Sequence, residues 1–209
     1  MENTKEIQQY IQRSLEEALQ GLAFWISYRQ VLCYEHSINE GALVAELVLL
    51  LRAKLNSDFM IRNERKYIEK SKSKIRMDIE IAKKDNSDNK KNKDNKEKGV
   101  RMAIIEVKRF SAGEKLIRDD IDKLIRAQKE KNKNVLCYLV VISEKEIPDL
   151  FVKETGNAHK KNFSNENSFI TNIRVLKAAK YLKGKKENPP TNTNYCCLLK
   201  ISPTNQRGK

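Results

Sequence analysis

The chain has 209 residues and a formal net charge of +14, with 42 Lys and Arg against 28 Asp and Glu. This length is sufficient for one domain with a substantial core. The excess of positive charge favours a polyanionic partner, and nucleic acid is the first candidate. A low-GC genome that uses lysine codons heavily is the alternative explanation for this charge.

Cysteine and histidine usage excludes several classes of site. The four cysteines show no CxxC spacing, which predicts reduced packing residues and neither a zinc site nor a disulfide framework. With only two histidines, a histidine-built metal centre is nearly excluded. The N-terminus lacks the apolar run of a signal peptide, and no stretch reaches the roughly 18 apolar residues that span a membrane. We therefore expect a soluble cytoplasmic protein.

Two helices are predicted in the first quarter of the chain. Apolar residues recur every three or four positions over residues 5–32, which indicates an amphipathic helix. Ser37, followed by Glu40 three residues later, forms a capping box that predicts the start of a second helix ending near Leu55. Within this helix Glu46 is the only charged residue of the apolar run 41–51, so we expect the helix to be central.

Strands are predicted next. Residues 59–61 could form a short strand, and 62–73 are interpreted as a charged connection. Residues 74–82 alternate apolar and polar side chains, and 100–109 form the following strand. The low-complexity run 83–98 between them predicts a mobile hairpin tip, either a tolerated insertion or a basic arm that touches phosphates.

The second half of the chain is predicted to be a helix followed by further strands. Ser111 and Glu114 form a second capping box, which predicts a helix to about Lys131. Its apolar residues are expected on one face: Leu116, Ile117, Ile121, Leu124 and Ile125. The apolar run 135–143 is typical of a strand covered on both faces. The remaining predictions are a polar loop over 153–167, a strand and then a helix over 169–182, and a last strand over 195–201.

The predicted hairpin contains the residues best suited to chemistry. If 74–82 and 100–109 pair, Asp78 and Glu106 approach each other, and Lys108 shares the face of Glu106 because it is two residues further along the strand. Two carboxylates in a poorly solvated cleft repel each other, and Mg²⁺, which prefers oxygen ligands, resolves that repulsion. Lys108 could then orient or deprotonate a water, or stabilise charge on a phosphorane-like transition state.

Each of these residues also has a purely structural interpretation. Glu106 and Lys108 could be exposed strand residues, since an E-x-K pattern alone is common. Glu46, an acid in an apolar helix, requires a partner, which could be a nearby Arg or Lys in place of a metal. The four residues in helix–strand–strand order indicate a site more strongly than any one of them does.

The sequence Arg76-Met77-Asp78-Ile79, followed 28 residues later by Glu106-Val107-Lys108, resembles the PD-(D/E)XK nuclease superfamily. This superfamily includes many restriction endonucleases and recombination or repair nucleases. The resemblance covers residues 37–143, about half the chain. It implies an α-β-β-β-α-β core of a restriction-endonuclease-like α/β fold with a mixed sheet. Met77 stands where the family often has proline, a variable position.

The resemblance also implies residue roles and a cofactor. Asp78, Glu106 and Glu46 would bind Mg²⁺, which Mn²⁺ could replace, and Lys108 would be the catalytic lysine. Gln128 and Glu80 are weaker candidates for shaping the site, and Gln128 is also interpreted as a solvent-facing helix residue. The candidates for binding nucleic acid are Arg62, Arg65, Lys72, Lys74, Arg76 and Arg109.

The leading hypothesis is a single-domain, Mg²⁺-dependent DNA endonuclease of the restriction or defence type. Such enzymes often dimerise to cut both strands, and the N-terminal helix is a possible interface of a homodimer. The alternatives are a non-catalytic nucleic-acid-binding protein on the same fold, a repair or recombination nuclease, and an RNA-directed nuclease. A further alternative is an α/β protein in which the E-x-K is accidental; it would place Asp78 far from Glu106.

Overall fold

Helices alternate with strands over the described part of the chain. A computed structural model describes residues 4–32, 38–68, 74–84, 99–131, 135–144, 146–155, 157–158, 171–182 and 193–203. The helices in these ranges are α1 (Thr4–Leu32), α2 (Glu40–Lys54) and α3 (Glu114–Lys131), and a 3₁₀ turn (Phe110–Ala112) precedes α3. The strands are β1 (Phe59–Ile68), β2 (Lys74–Lys84), β3 (Gly99–Arg109), β4 (Leu136–Glu144), β5 (Thr171–Leu182) and β6 (Thr193–Pro203).

The strands form one mixed sheet in the order β1-β2-β3-β4-β6-β5. Strands β3 and β4 are parallel, and every other neighbouring pair is antiparallel. A parallel pair requires a crossover connection, which α3 provides between β3 and β4. The general α/β class predicted from the sequence is therefore confirmed, and so is the antiparallel pairing of β2 with β3.

The sheet lies between two helical layers. Side chains that alternate along β3 pack on opposite sides: Ala103, Ile105 and Val107 join the core under α1 and α2, whereas Ile104 joins the core under α3. Strand β4 is buried on both faces from Leu136 to Ser143, as its continuous apolar run predicted. Side chains at the end of β3 can therefore contact helices of both layers.

The apolar face of α1 is buried within the chain. Ile11, Leu15, Leu22 and Ile26 are fully buried in the core that α1 shares with α2 and the sheet. Gly21 permits a close approach, since a Cβ there would lie 3.0 Å from Leu50 Cδ2. These residues are therefore not available to the homodimer interface predicted for this helix, and the homodimer stays a prediction.

Both helix starts that the capping boxes predicted are wrong by a few residues. The N-cap of α2 is Asn39, whose Oδ1 accepts a hydrogen bond of 2.8 Å from the Ala42 N–H. Ser37 lies outside the described residues. Helix α3 begins at Glu114 itself, because the chain first forms the 3₁₀ turn and then passes through Gly113 at φ +94°. Ser111 belongs to that turn and does not cap α3.

We expect Asn39→Ala to reduce the free energy of unfolding by about 1 kcal/mol, because the Ala42 N–H loses its acceptor. Asn39→Asp keeps an acceptor at the same position and is the matched control. Urea denaturation of the three proteins measures the difference. An equal loss in both variants would contradict a capping role for Asn39.

The strand predictions need three corrections. Strand β1 continues through Arg62 to Ile68, because residues 59–68 pair along β2, and 62–68 are therefore not a connection. The segment 171–182 is strand throughout, paired with β6, and no helix follows within it. Residues 83 and 84 still belong to β2, and the remainder of the predicted hairpin tip, 85–98, lies outside the described residues.

Two further sequence predictions concern single residues. Leu116 is 49% exposed, so it does not belong to the buried face of α3, whereas Ile117, Ile121, Leu124 and Ile125 do. Three cysteines are free and buried, as predicted, and burial raises the pKa of the Cys137 thiol to about 12; the other two are Cys196 and Cys197. Cys33 lies outside the described residues. None of the helices in the described ranges is long and apolar enough to span a membrane.

Candidate active site

The pairing of β2 with β3 brings two carboxylates to the same place. The antiparallel register pairs Ile79 with Ile105, and Asp78 and Glu106 are the next residues beyond this pair on their two strands. The backbone N–H of Val107 donates a hydrogen bond of 2.8 Å to Asp78 Oδ2. This bond fixes the Asp78 side chain against β3, beside Glu106.

Glu106 is a buried acid in an electrostatically unfavourable position. Only 2% of its surface is exposed, and burial, followed by the neighbouring charge of Asp78, raises its pKa to about 8. Lys123 of α3 opposes this shift, with Nζ 2.8 Å from Glu106 Oε1. Lys123 lowers the pKa of Glu106 both by its charge and by a side-chain hydrogen bond, which burial and Asp78 together outweigh.

Lys108 lies between helices from the two layers. Its Nζ is 3.1 Å from Glu40 Oε1 at the start of α2 and 3.3 Å from Asp120 Oδ2 on α3. Burial lowers the pKa of Lys108, but the attraction of Asp120 and Glu40 outweighs burial, and the net shift is upward. Lys108 is therefore held as an ammonium ion.

The pKa of Asp78 is also raised from its ordinary value. Burial raises its pKa and outweighs the hydrogen bond from Val107, which lowers it. Lys123 and Lys108 lower the pKa further, whereas Glu40 raises it. Asp78 therefore responds to the charges on α2, α3 and β3 together.

These contacts define one group of ionisable residues, which we call the acid–lysine cluster: Glu40, Asp78, Glu106, Lys108, Asp120 and Lys123. Its four carboxylates and two ammonium groups leave a formal excess of two negative charges. Charges of this kind in a partly buried site favour a cation. The cluster therefore fits a divalent cation electrostatically.

Asp78 and Glu106 offer oxygen ligands, which are the type that Mg²⁺ prefers. Among the described residues no group of three or more His, Cys, Asp or Glu side chains converges to hold a metal. Mg²⁺ needs only one or two carboxylates and fills its remaining positions with water and phosphate oxygens. The two carboxylates that would hold it are those of Asp78, which is part-buried, and Glu106, which is buried.

Glu46, predicted as a third metal ligand, is part-buried on α2 and makes no hydrogen bond or ion pair with another described residue. The acid of α2 that reaches the site is Glu40, through Lys108. The two are six residues apart, and at 3.6 residues per turn this places them on different faces of the helix.

Sequence reasoning missed Glu40, Asp120 and Lys123. Glu40 was assigned only a capping role, and the other two are charged residues on a helix rich in charge. The available signal was their spacing: Asp120 and Lys123 are three residues apart, so they share a face beside the buried positions Ile121 and Leu124. A local motif cannot show that this face meets the end of β3.

The two weaker candidates for shaping the site are both buried, with different partners. Gln128 is 8% exposed, and its Nε2 donates to the Val135 carbonyl at 3.1 Å. The interpretation of Gln128 as solvent-facing is wrong, because it joins α3 to the start of β4. Glu80 accepts hydrogen bonds of 2.8 Å from Arg62 and Arg101.

The candidate nucleic-acid-binding residues are dispersed, and those with described side chains are paired. Arg62 contacts Glu80, Arg76 contacts Glu64, and Arg109 lies 3.3 Å from Glu144 at the end of β4. Arg65 and Lys74 lie on β1 and β2, and their side chains are outside the described set, as is all of Lys72. Arg76 lies two residues before Asp78 on β2, and Arg62 lies on the neighbouring strand β1.

Comparison with known proteins gives no relative: no protein-family model, no curated protein and no solved structure matches this chain. The chemistry of the acid–lysine cluster is therefore inferred from its own residues.

Proposed function

We propose that this protein is a Mg²⁺-dependent nuclease that hydrolyses phosphodiester bonds in DNA. One observation supports this most directly: Asp78 and Glu106 lie side by side at the end of a hairpin, with Lys108 two residues beyond Glu106. A carboxylate pair with an adjacent ammonium group suits a reaction in which a cation binds and negative charge develops on phosphate. The net charge of +14 is consistent with a polyanionic substrate.

The order of elements supports the same proposal. Helix α2, strands β1 to β3, helix α3 and strand β4 follow one another as α-β-β-β-α-β, which is the order expected of a PD-(D/E)XK core. Asp78 lies on the second of these strands, and Glu106 and Lys108 lie on the third, as that resemblance implies. Glu46, in contrast, does not lie in the acid–lysine cluster.

The residues divide into two roles. Asp78 and Glu106 would hold the cation, and the Val107 N–H keeps Asp78 oriented toward Glu106. When bound, a divalent cation supplies Lewis-acid polarisation of a phosphodiester and lowers the pKa of a water ligand. Glu40 and Asp120 position the Lys108 ammonium, which would stabilise negative charge on the phosphoryl group.

Lys108 acts, in this proposal, as a cation and not as a general base. A base must be deprotonated at the working pH, whereas the carboxylates of Asp120 and Glu40 raise the pKa of Lys108. We therefore expect Lys108→Arg to retain part of the cleavage rate and Lys108→Met to lose about 100-fold or more. Initial rates on plasmid DNA measure both. Equal loss in the two variants would favour a base or a strict geometric requirement.

Incubation of the purified protein with supercoiled plasmid, in Mg²⁺, in Mn²⁺ and in EDTA, tests the nuclease proposal. Cleavage that requires the metal and is lost in Glu106→Gln would support it, and discrete bands would indicate the sequence specificity of a restriction or defence enzyme. Glu114→Gln, which alters an exposed acid of α3, is the matched control. Cleavage of RNA alone would redirect the proposal to RNA, and binding without cleavage of any substrate would favour a non-catalytic binder.

A further inference from the structure

A second ionic group lies on the strands beside the acid–lysine cluster. Glu80 of β2 is 1% exposed, with Arg62 Nη1 2.8 Å from Oε1 and Arg101 Nε 2.8 Å from Oε2. Arg62 belongs to β1 and Arg101 to β3, so the group spans three neighbouring strands. We call these three residues the arginine pair and its glutamate.

The position of this group relates it to the candidate active site. Glu80 and Asp78 are two residues apart on β2, so they face the same side of the sheet at a separation of about 6.6 Å along the strand. This is of the order of the spacing between successive phosphates in a nucleic-acid strand. A strand with one phosphate at Asp78 and Glu106 would therefore bring the next within reach of the arginines.

The charges of the two groups are complementary in function. The acid–lysine cluster has an excess of negative charge and by itself repels a polyanion. The arginine pair and its glutamate present two guanidinium groups, and the side chains of Arg62 and Arg101 remain 18% and 28% exposed. Glu80 takes one donor from each guanidinium, which has five, and so sets the orientation of both.

A purely structural role explains this group less well. Burying a carboxylate costs several kcal/mol, and apolar residues of similar volume stabilise a sheet as well or better. Two part-exposed guanidiniums held by one buried acid are the arrangement expected of a rigid phosphate site, since guanidinium groups match phosphate geometry.

We propose that Arg62 and Arg101, oriented by Glu80, bind the phosphate adjacent to the one that is cleaved. This inference rests on the proposed function, because it requires a nucleic-acid strand at Asp78 and Glu106. It assigns to Glu80 a positioning role and to Arg101 a substrate contact that the sequence did not indicate.

The test is the salt dependence of DNA binding, measured by fluorescence anisotropy with a labelled duplex in EDTA, where cleavage does not occur. Each lost phosphate contact reduces the slope of log K against log[salt] by about 0.9. We expect this reduction in Arg101→Gln and no reduction in Arg101→Lys, which keeps the charge. Arg13→Gln alters an exposed arginine on α1, in the other layer, and is the matched control.

Stability must be separated from binding. Thermal unfolding identifies any variant that does not fold; if Arg101→Gln is one of them, Glu80→Gln/Arg101→Gln removes the buried charge together with its partner, and the same reduction in slope is expected. An unchanged slope in a folded variant would overturn the phosphate site while leaving the nuclease proposal intact. Absence of DNA binding by the unsubstituted protein would overturn the phosphate site, and the plasmid cleavage assay in Mg²⁺ decides the nuclease proposal separately.

Discussion

Asp78→Asn is expected to lower DNA cleavage by about 100-fold or more while raising the melting temperature of the metal-free protein. The loss follows because one of the two carboxylates proposed to hold the cation becomes neutral. The melting temperature rises because burial raises the pKa of Asp78, so the folded state disfavours its charge, which asparagine lacks. The asparagine Oδ1 can still accept the hydrogen bond from the Val107 N–H. Plasmid cleavage in Mg²⁺ and thermal unfolding in EDTA measure the two effects.

Measuring cleavage and melting temperature on the same variant separates a functional residue from a structural one. An acid retained for stability would lose both activity and stability when neutralised, whereas Asp78 should lose activity alone. Asp78→Ala is the informative comparison, because it removes the acceptor for the Val107 N–H as well as the charge. Asp119→Asn, an exposed position on α3, is the matched control. Cleavage that persists in Asp78→Asn would place the reaction elsewhere.

The centre of the site could be predicted because it depends on local pairing. The alternation along 74–82 and 100–109 sets which side chains share a face, and the two segments pair as neighbours along the chain. Asp78, Glu106 and Lys108 follow from that pairing alone. Strand β4 was predictable for a similar reason, since a continuous apolar run indicates burial on both faces.

The surroundings of the site depend on contacts between distant elements, and local sequence does not show them. Glu46 was chosen because it is the charge in an apolar run, but the turn of α2 that reaches Lys108 is the first one, where Glu40 lies. Asp120 and Lys123 follow from how α3 packs on the sheet. Their side chains look like ordinary solvated charges until the end of β3 is placed beside them.

Two strands were predicted too short because tertiary pairing overrides weak local signals. Strand β1 contains the charged run Arg62-Asn63-Glu64-Arg65-Lys66, in which apolar alternation is absent. Strand β1 nevertheless pairs with β2 in a register that places Arg62 opposite Glu80. Arg62 then donates a hydrogen bond to this buried acid and stabilises the pairing. Residues 171–182 contain good helix formers, yet β6 pairs with them along their length.

Lys123→Met is expected to destabilise the metal-free protein by an amount that grows with pH. Lys123 Nζ, 2.8 Å from Glu106 Oε1, is the close cation of a buried acid, and removal of one partner from a buried ion pair costs about 3 kcal/mol or more when the remaining group stays charged. A protonated Glu106 needs no such partner. The expected loss in the free energy of unfolding is therefore small near pH 6 and largest near pH 9.

The direction of this pH dependence follows from the pKa of Glu106, which is raised from 4.5 to about 8 in the folded protein. Between these values the folded state binds a proton that the unfolded state releases, so stability falls as pH rises, by at most about 1.4 kcal/mol per pH unit. Loss of Lys123 raises this pKa further and extends the decline to higher pH. Denaturation with urea in EDTA at several pH values measures the decline in each variant.

The double variant Lys123→Met/Glu106→Gln removes the acid together with its cation, and we expect it to lose most of the pH dependence and to recover stability at pH 9. Lys115→Met, at an exposed position of the same helix, is the control for a change of lysine as such. A loss in Lys123→Met that is the same at pH 6 and pH 9 would mean that the lysine acts through the packing of its aliphatic stem. A loss confined to high pH would identify Lys123 as the charge that balances Glu106 before any metal binds.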